Sequence, residues 1–129
     1  MPFVRLTLND PTLDADTQHE LAATITNLLA EDFGKIPEIT VFQVNLVPVE
    51  SWFIGSQPVT GTGGHLEVSL STGINTDIEK AAFIDHAYSE LTRILGTLAQ
   101  IFYIEVHEIP GKSWGYNGLP QADRTHDVD

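Results

Sequence analysis

Apolar and polar residues alternate over residues 3–8, FVRLTL, and this period of two predicts a β-strand. The spacing becomes helical over residues 16–31, where one face carries Leu21, Ile25, Leu28 and Leu29. Residues 39–47, ITVFQVNLV, are nearly all apolar, which is typical of a strand covered on both faces. The first half of the chain therefore predicts the order β-α-β.

The second half repeats that order. Residues 65–71 predict a strand, residues 77–95 a helix and residues 101–108 a last strand. We expect Asp14 or Asp16 to cap the first helix, Thr76 to cap the second and Gly96 to end it. The apolar face of the second helix consists of Phe83, Ile84, Ala87, Leu91 and Ile94.

The two halves share a register at an offset of 62 residues. This offset superimposes Pro48, Ser51 and Trp52 on Pro110, Ser113 and Trp114, and it superimposes Pro2 on Gly64. We interpret residues 1–129 as one domain with pseudo-repeats at 2–55 and 64–118. The Gly-rich joint at 55–64 predicts a loop or short hairpin, and residues 121–129 predict a polar tail.

Right-handed crossovers make the strands of each unit parallel. Two such units side by side give an α+β fold, a four-stranded sheet with two helices on one face. The other face of the sheet would be bare. We expect identical subunits to cover its apolar residues.

Charge and composition narrow the function. Eighteen acidic against six basic residues give a net charge of −12, which argues against nucleic-acid or anionic-membrane partners. There is no cysteine, no long apolar stretch and no signal-like start, so we expect a cytoplasmic protein. Because proline is small, Met1 should be removed, which leaves Pro2 as a free secondary amine. Such an amine titrates near ~8, and burial lowers that value toward the range of a general base.

Pro2 after Met1, a β-α-β unit of about 60 residues and the segment EIPGKSWGYNG together resemble the 4-oxalocrotonate tautomerase superfamily. The two-copy length is similar to its cis-3-chloroacrylic acid dehalogenase and malonate semialdehyde decarboxylase branches. The resemblance implies a homotrimer without a cofactor. It also implies that Pro2, as general base, moves a proton between carbons of a small enolisable 2-oxo acid.

The chain departs from the dehalogenase pattern. Thr72 and Asn75 stand where that branch has two arginines, and Tyr116 stands where it has a catalytic glutamate. Leu29 and Glu105 replace its histidine and tyrosine. Dehalogenation needs an activated water and a cationic clamp on the carboxylate, so we expect a different reaction.

Other residues are candidates for binding the carboxylate substrate. Tyr103 stands where one-copy tautomerases have a carboxylate-binding arginine, and its hydroxyl can donate to a carbonyl or enolate oxygen. Lys112 is a candidate cation or a solvated turn lysine, and Trp114 is a candidate pocket wall or subunit contact. Thr72, Asn75 and Tyr116 complete the predicted substrate-binding set.

Several alternatives stay open. His65 with Glu67, and Glu105 with His107, could be gathered by neighbouring strands, but without helical ligand spacing we expect no metal site. Pro2 could instead act as an ammonium acid in a hydratase, decarboxylase or dehalogenase of C3 acids. The fold could also serve as a non-catalytic binding protein.

Overall fold

A computed structural model describes residues 2–124 of the chain. The first half contains β1 (Phe3–Leu8), α1 (Ala15–Phe33), β2 (Val41–Leu46), β3 (Phe53–Ile54) and β4 (Gln57–Pro58). The second half contains β5 (Gly64–Ser71), α2 (Asp77–Leu95), β6 (Tyr103–Ile109), β7 (Gly115–Tyr116) and β8 (Leu119–Pro120).

The offset of 62 residues holds throughout the structure. Helices α1 and α2 each have 19 residues and start at equivalent positions, Ala15 and Asp77. The short hairpins β3–β4 and β7–β8 are also equivalent. The predicted strands and helices are found with small changes at their ends. The prediction that the second strand is covered on both faces is wrong, because β2 is an edge strand whose alternate side chains are exposed within the chain. The predicted joint at 55–64 contains β4, the second strand of the β3–β4 hairpin.

The strand order in the sheet is β2-β1-β5-β6. Strand β1 is parallel to β2 and β5 is parallel to β6, whereas the two central strands, β1 and β5, are antiparallel. The repeats are therefore related by a pseudo-twofold axis between β1 and β5. Both helices pack on one face of the sheet, as predicted. The fully buried core there includes Val4, Leu6, Leu21, Leu66, Val68, Phe83 and Leu91.

The helix ends follow local capping chemistry. Asp14 accepts a hydrogen bond from the Thr17 amide, and Thr76 and Glu79 form a reciprocal capping box. Gly34 ends α1 in the left-handed conformation at φ 68°, which glycine adopts without steric cost. Asp14 and Thr76 set where the helices begin, and Gly34 sets where α1 ends and the segment leading to β2 begins.

The open face of the sheet is more polar than we expected. Apart from Phe3, Val41, Tyr103 and Ile109, its strand residues are polar or charged, and Arg5, Glu67 and Glu105 lie near its centre. Alternation places every second side chain of a strand on this face, so its composition follows from the strand register. Burial of apolar area alone therefore does not explain how this face is covered.

The first residues of the predicted polar tail are part of the folded structure. Gln121–Asp123 form one turn of 3-10 helix, and Gln121 is buried against the body of the protein. The rest of the predicted tail, 125–129, lies outside the described residues. No helix within residues 2–124 is long and apolar enough to cross a membrane.

Candidate active site at the Pro2 end

Pro2 is buried at the start of β1. Its carbonyl accepts a hydrogen bond of 3.2 Å from the Val41 amide, which joins it to the start of β2. Because Phe3 pairs with Ser69 in the antiparallel neighbour, Pro2 lies where β5 finishes at Ser71. We call this region the Pro2 end: Pro2, segment 34–40, the start of α2, and the C-terminal ends of β5 and β6 with the segments that follow them.

Buried polar side chains gather at the Pro2 end. The described residues include four buried polar or charged side chains, and three of them, Lys35, Ser71 and Gln121, lie here. The Oγ atom of Ser71 is buried without a hydrogen-bond partner. Ser71, Thr72, Ile74, Gly111, Gln121 and Ala122 line a cavity of about 100 Å³. Buried polar groups are normally hydrogen-bonded, so this Oγ atom is available to a bound molecule.

Asn75 joins the two helices at this end. Its Nδ2 donates to the Phe33 carbonyl at 3.3 Å and to Glu79 at 3.5 Å, whereas its Oδ1 is buried without a partner. The pKa of the Glu79 carboxyl lies below its usual range, mainly because the carboxyl accepts a hydrogen bond from the Thr76 amide. Hydrogen bonds from the Asn75 and Thr76 side chains and the charge of Lys35 lower it further. Glu79 therefore carries a negative charge near neutral pH, and Lys35 lies close enough to affect it.

A wider recess of about 310 Å³ lies beyond β6. It is lined by Lys112, Ser113, Trp114, Gly115, Gly118, Leu119 and Pro120. Lys112 is exposed and Trp114 is half-buried. The Trp114 carbonyl accepts from the Gln121 amide at 2.7 Å, which connects this recess to the small cavity.

Tyr116 lies beside that recess, on β7. The Arg124 guanidinium stacks over its ring at 3.7 Å from the centroid and also donates to the Tyr116 carbonyl. Tyr116 and Arg124 therefore form one cation–π unit that closes this side of the Pro2 end.

Tyr103 lies elsewhere. It starts β6 beside His65, and His65 pairs with Thr7, five residues along β1 from Pro2. At ~3.3 Å per residue, that separation is roughly 17 Å. Within one chain, the structure brings the other predicted substrate-binding residues to the Pro2 end and leaves Tyr103 at the opposite one.

Four of the six cationic side chains belong to the Pro2 end: Lys35, Lys80, Lys112 and Arg124. Lys80 is paired, since its Nζ lies 2.8 Å from Glu108, and this hydrogen bond is the main cause of its raised pKa. In a chain of net charge −12, most of the cations lie at the Pro2 end, where carboxylates such as Glu79 and Glu108 accompany them.

Sequence reasoning missed Lys35, Ser71 and Gln121 as site residues. Lys35 directly follows the glycine that ends α1, and a lysine there resembles any solvated turn lysine. Gln121 was placed in the polar tail. The repeat itself offered one signal for Ser71, because its equivalent is Asn9, another polar residue directly after a buried strand.

The structure also groups His65, Glu67 and Glu105 on the open face of the sheet, with their ligand atoms all within 4.8 Å of one another. We had expected no metal site from the scattered histidines. The parallel register of β5 and β6 brings the three together, which the spacing along the sequence does not show.

Comparison with known proteins gives the class and then the family. No family model matches the chain. The chain is 35% identical over 60 residues to Probable tautomerase K2 of Dickeya dadantii (strain 3937), a match that spans 46% of this chain and 90% of that relative.

Two solved structures show the same fold over both repeats. A fused 4-OT wild-type symmetric trimer superimposes with a TM-score of 0.82 at 17% identity, covering 95% of this chain and 99% of the other. N1, a member of the cis-3-chloroacrylic acid dehalogenase family, superimposes with a TM-score of 0.79 at 15% identity, covering 92% and 82%.

The fold is that of a two-copy β-α-β protein and is shared with fused 4-OT structures. The chain belongs to the tautomerase superfamily. It is an enzyme of that superfamily's isomerase class.

Proposed function

We propose that this protein is a cofactor-independent tautomerase that acts on small enolisable 2-oxo acids, with the amine of Pro2 as general base. One observation carries the proposal: the proline is buried at the end of the sheet that also holds Lys35, Ser71 and Asn75. Burial disfavours the ammonium form of an amine, which would favour the free lone pair of Pro2 once Met1 is removed. That lone pair would take the proton from one carbon and return it to another.

The cations of the Pro2 end would hold the substrate carboxylate. Lys35 is the buried candidate, and Lys112 is the exposed one at the mouth of the recess. The Ser71 hydroxyl and the Asn75 carbonyl oxygen offer further polar contacts. A charged contact in a site sheltered from water is worth more than the same contact in water, so Lys35 should dominate.

We further propose that the chain works as a homotrimer. The open sheet face is left uncovered by the helices, and fused 4-OT proteins of the same fold form trimers. Tyr103, 70% exposed at the start of β6, would then approach the Pro2 end of a neighbouring copy. Native mass spectrometry should give three chains per particle, and a monomer would contradict this part of the proposal.

Replacing Pro2 by Ala tests the function. We expect kcat/KM for phenylpyruvate or 2-hydroxymuconate to fall by at least ~10²-fold, the usual contribution of one general base. Pro48→Ala is the matched control, because it removes an exposed proline from a turn and should leave the rate unchanged. Full activity in Pro2→Ala protein would refute the proposal.

The pH dependence of kcat/KM separates the two catalytic roles of Pro2. A rate that rises with pH requires the free amine, as proposed. A rate that falls as pH rises would assign Pro2 to the ammonium role of a hydratase or decarboxylase. If the folded mature protein turns over neither substrate, the proposed substrate class is wrong.

A further inference from the structure

We propose that His65, Glu67 and Glu105 form a binding site for one divalent transition metal of the zinc type on the open face of the sheet. The imidazole and the two carboxylates come from β5 and β6, and their ligand atoms lie within 4.8 Å of one another. His65 Nε2 lies 2.9 Å from Glu105 Oε1, and His65 Nδ1 lies 3.9 Å from Glu67 Oε2. This site is separate from the tautomerase chemistry proposed for Pro2.

The donor set suits zinc. Zn²⁺ binds imidazole nitrogen and carboxylate oxygen at about 2.0–2.2 Å, usually with four ligands. Ligand atoms around such an ion are roughly 3.4 Å apart. One imidazole nitrogen would have to face both carboxylates, so the His65 ring must turn from its present position, in which Nε2 faces Glu105 and Nδ1 faces Glu67. Three protein ligands leave one position for water, which fits the partial exposure of all three side chains.

The strand register gives a second reason for a cation at this place. Glu67 and Glu105 are direct partners on neighbouring parallel strands. Like charges directly opposite each other in a sheet are destabilising. The Arg5 guanidinium lies 3.9 Å from Glu67 and also donates to Gln43 at 3.1 Å, whereas Glu105 has histidines beside it and no Lys or Arg partner among the ion pairs of the described residues. A divalent ion between the two glutamates would remove the remaining repulsion.

His107 lies at the next position of β6 on this face. Its Nδ1 lies 3.9 Å from Glu105 Oε2, the carboxylate oxygen that His65 does not contact. A group in this position can orient a ligating carboxylate without binding the ion itself.

Isothermal titration of the metal-free, full-length mature protein with ZnCl2 tests the site. We expect saturation at one ion per chain. His65→Gln and Glu105→Gln should each weaken binding at least ~10-fold. Both residues lie on a partly exposed face, so we expect the two variants to fold, and circular dichroism verifies this. If one variant does not fold, the other still tests the site.

The matched control is His86→Gln, which removes a histidine paired with one carboxylate, Asp32, at 2.9 Å and should leave zinc binding unchanged. Co²⁺ should give the visible absorption of a low-symmetry site in wild-type protein and lose it in His65→Gln. Zinc binding should also persist in Pro2→Ala protein, so the two proposals fail independently. The assignment would be overturned if zinc binding did not saturate or if Mg²⁺ bound as tightly as Zn²⁺. It would also be overturned if both ligand variants bound zinc with the affinity of the wild-type protein.

Discussion

The Pro2 end and its pseudo-symmetric counterpart are built from equivalent positions but differ in what those positions hold. We call the counterpart the Gly64 end: Gly64, segment 96–102, the start of α1, and the C-terminal ends of β1 and β2. There glycine replaces proline, and a Cβ atom on Gly64 would lie 2.5 Å from the Phe102 ring. The space that Pro2 fills at one end is filled by an aromatic ring at the other.

The polar groups differ in the same way. Asn9, the equivalent of Ser71, forms two hydrogen bonds with Gly63. Its side-chain oxygen accepts from the Gly63 backbone amide at 2.8 Å, and its own backbone amide donates to the Gly63 carbonyl at 3.0 Å. Ser71 Oγ has no partner. The equivalents of the four cations at the Pro2 end are Thr97, Gln18, Glu50 and Thr62. A recess of about 320 Å³ lies against Gly64, and Asn9 Nδ2 is also buried without a partner, so the two ends differ mainly in their cations and in the proline.

The largest effect on stability should come from Gly64→Ala. The new methyl group would meet the Phe102 ring and the Thr7 carbonyl at 2.7 Å or less, so the packing must shift. We expect a loss of about 3 kcal/mol, measured by urea denaturation. Adding Phe102→Leu should recover part of it. Unchanged stability would show that Phe102 and the Thr7 carbonyl do not pack tightly against Gly64.

Lys35→Met should act on catalysis at the Pro2 end. It keeps the aliphatic bulk of a buried side chain and removes the charge. Because a hydrogen bond to a charged group contributes about 2 kcal/mol, we expect kcat/KM for a 2-oxo acid to fall roughly 30-fold. Arg93→Met, at the far end of α2, is the control and should leave the rate unchanged. Equal effects of the two variants would argue against a localised anion site.

Asn9→Ala and Ser71→Ala form a matched pair across the pseudo-twofold axis. Removing the Asn9 side chain leaves the buried Gly63 amide without its acceptor, which should cost about 1–2 kcal/mol of unfolding free energy. Ser71→Ala removes a hydroxyl without a partner and should be nearly neutral for stability, while changing KM. Equal destabilisation by both would remove the distinction between the ends.

The smallest expected effect is a change in the pH dependence of stability, caused by the pair His86–Asp32. The residues at the equivalent repeat positions, Thr24 and Ile94, cannot ionise. The hydrogen bond and charge of Asp32 raise the pKa of His86 above its usual 6.5. The pair therefore stabilises the fold fully below pH ~6.5 and loses this contribution as pH rises through the folded-state pKa. In His86→Gln protein the unfolding free energy should depend less on pH between that value and slightly alkaline pH. An unchanged slope would contradict the pairing.

Periodicity and the repeat were enough to predict the strands, the helices and the α+β fold. Thr76 was predicted from local chemistry, since capping depends only on residues three positions apart. Lys35 and Gln121 could not be predicted as buried, because hydrophobic periodicity identifies the apolar face of an element and not the loops that fold over its end. Tyr103 and the His65 cluster depend on strand register, which joins residues about 40 positions apart.

The availability of the Pro2 amine can be tested without changing any side chain of the protein. A chain with a protease-removable extension in place of Met1 keeps the ring but holds its nitrogen as an amide, which has no basic lone pair. We predict that cleavage to a mature chain beginning at Pro2, verified by intact mass, raises kcat/KM for 2-hydroxymuconate by at least ~10²-fold. Equal activity before and after cleavage would contradict the assignment of the Pro2 end as the catalytic site.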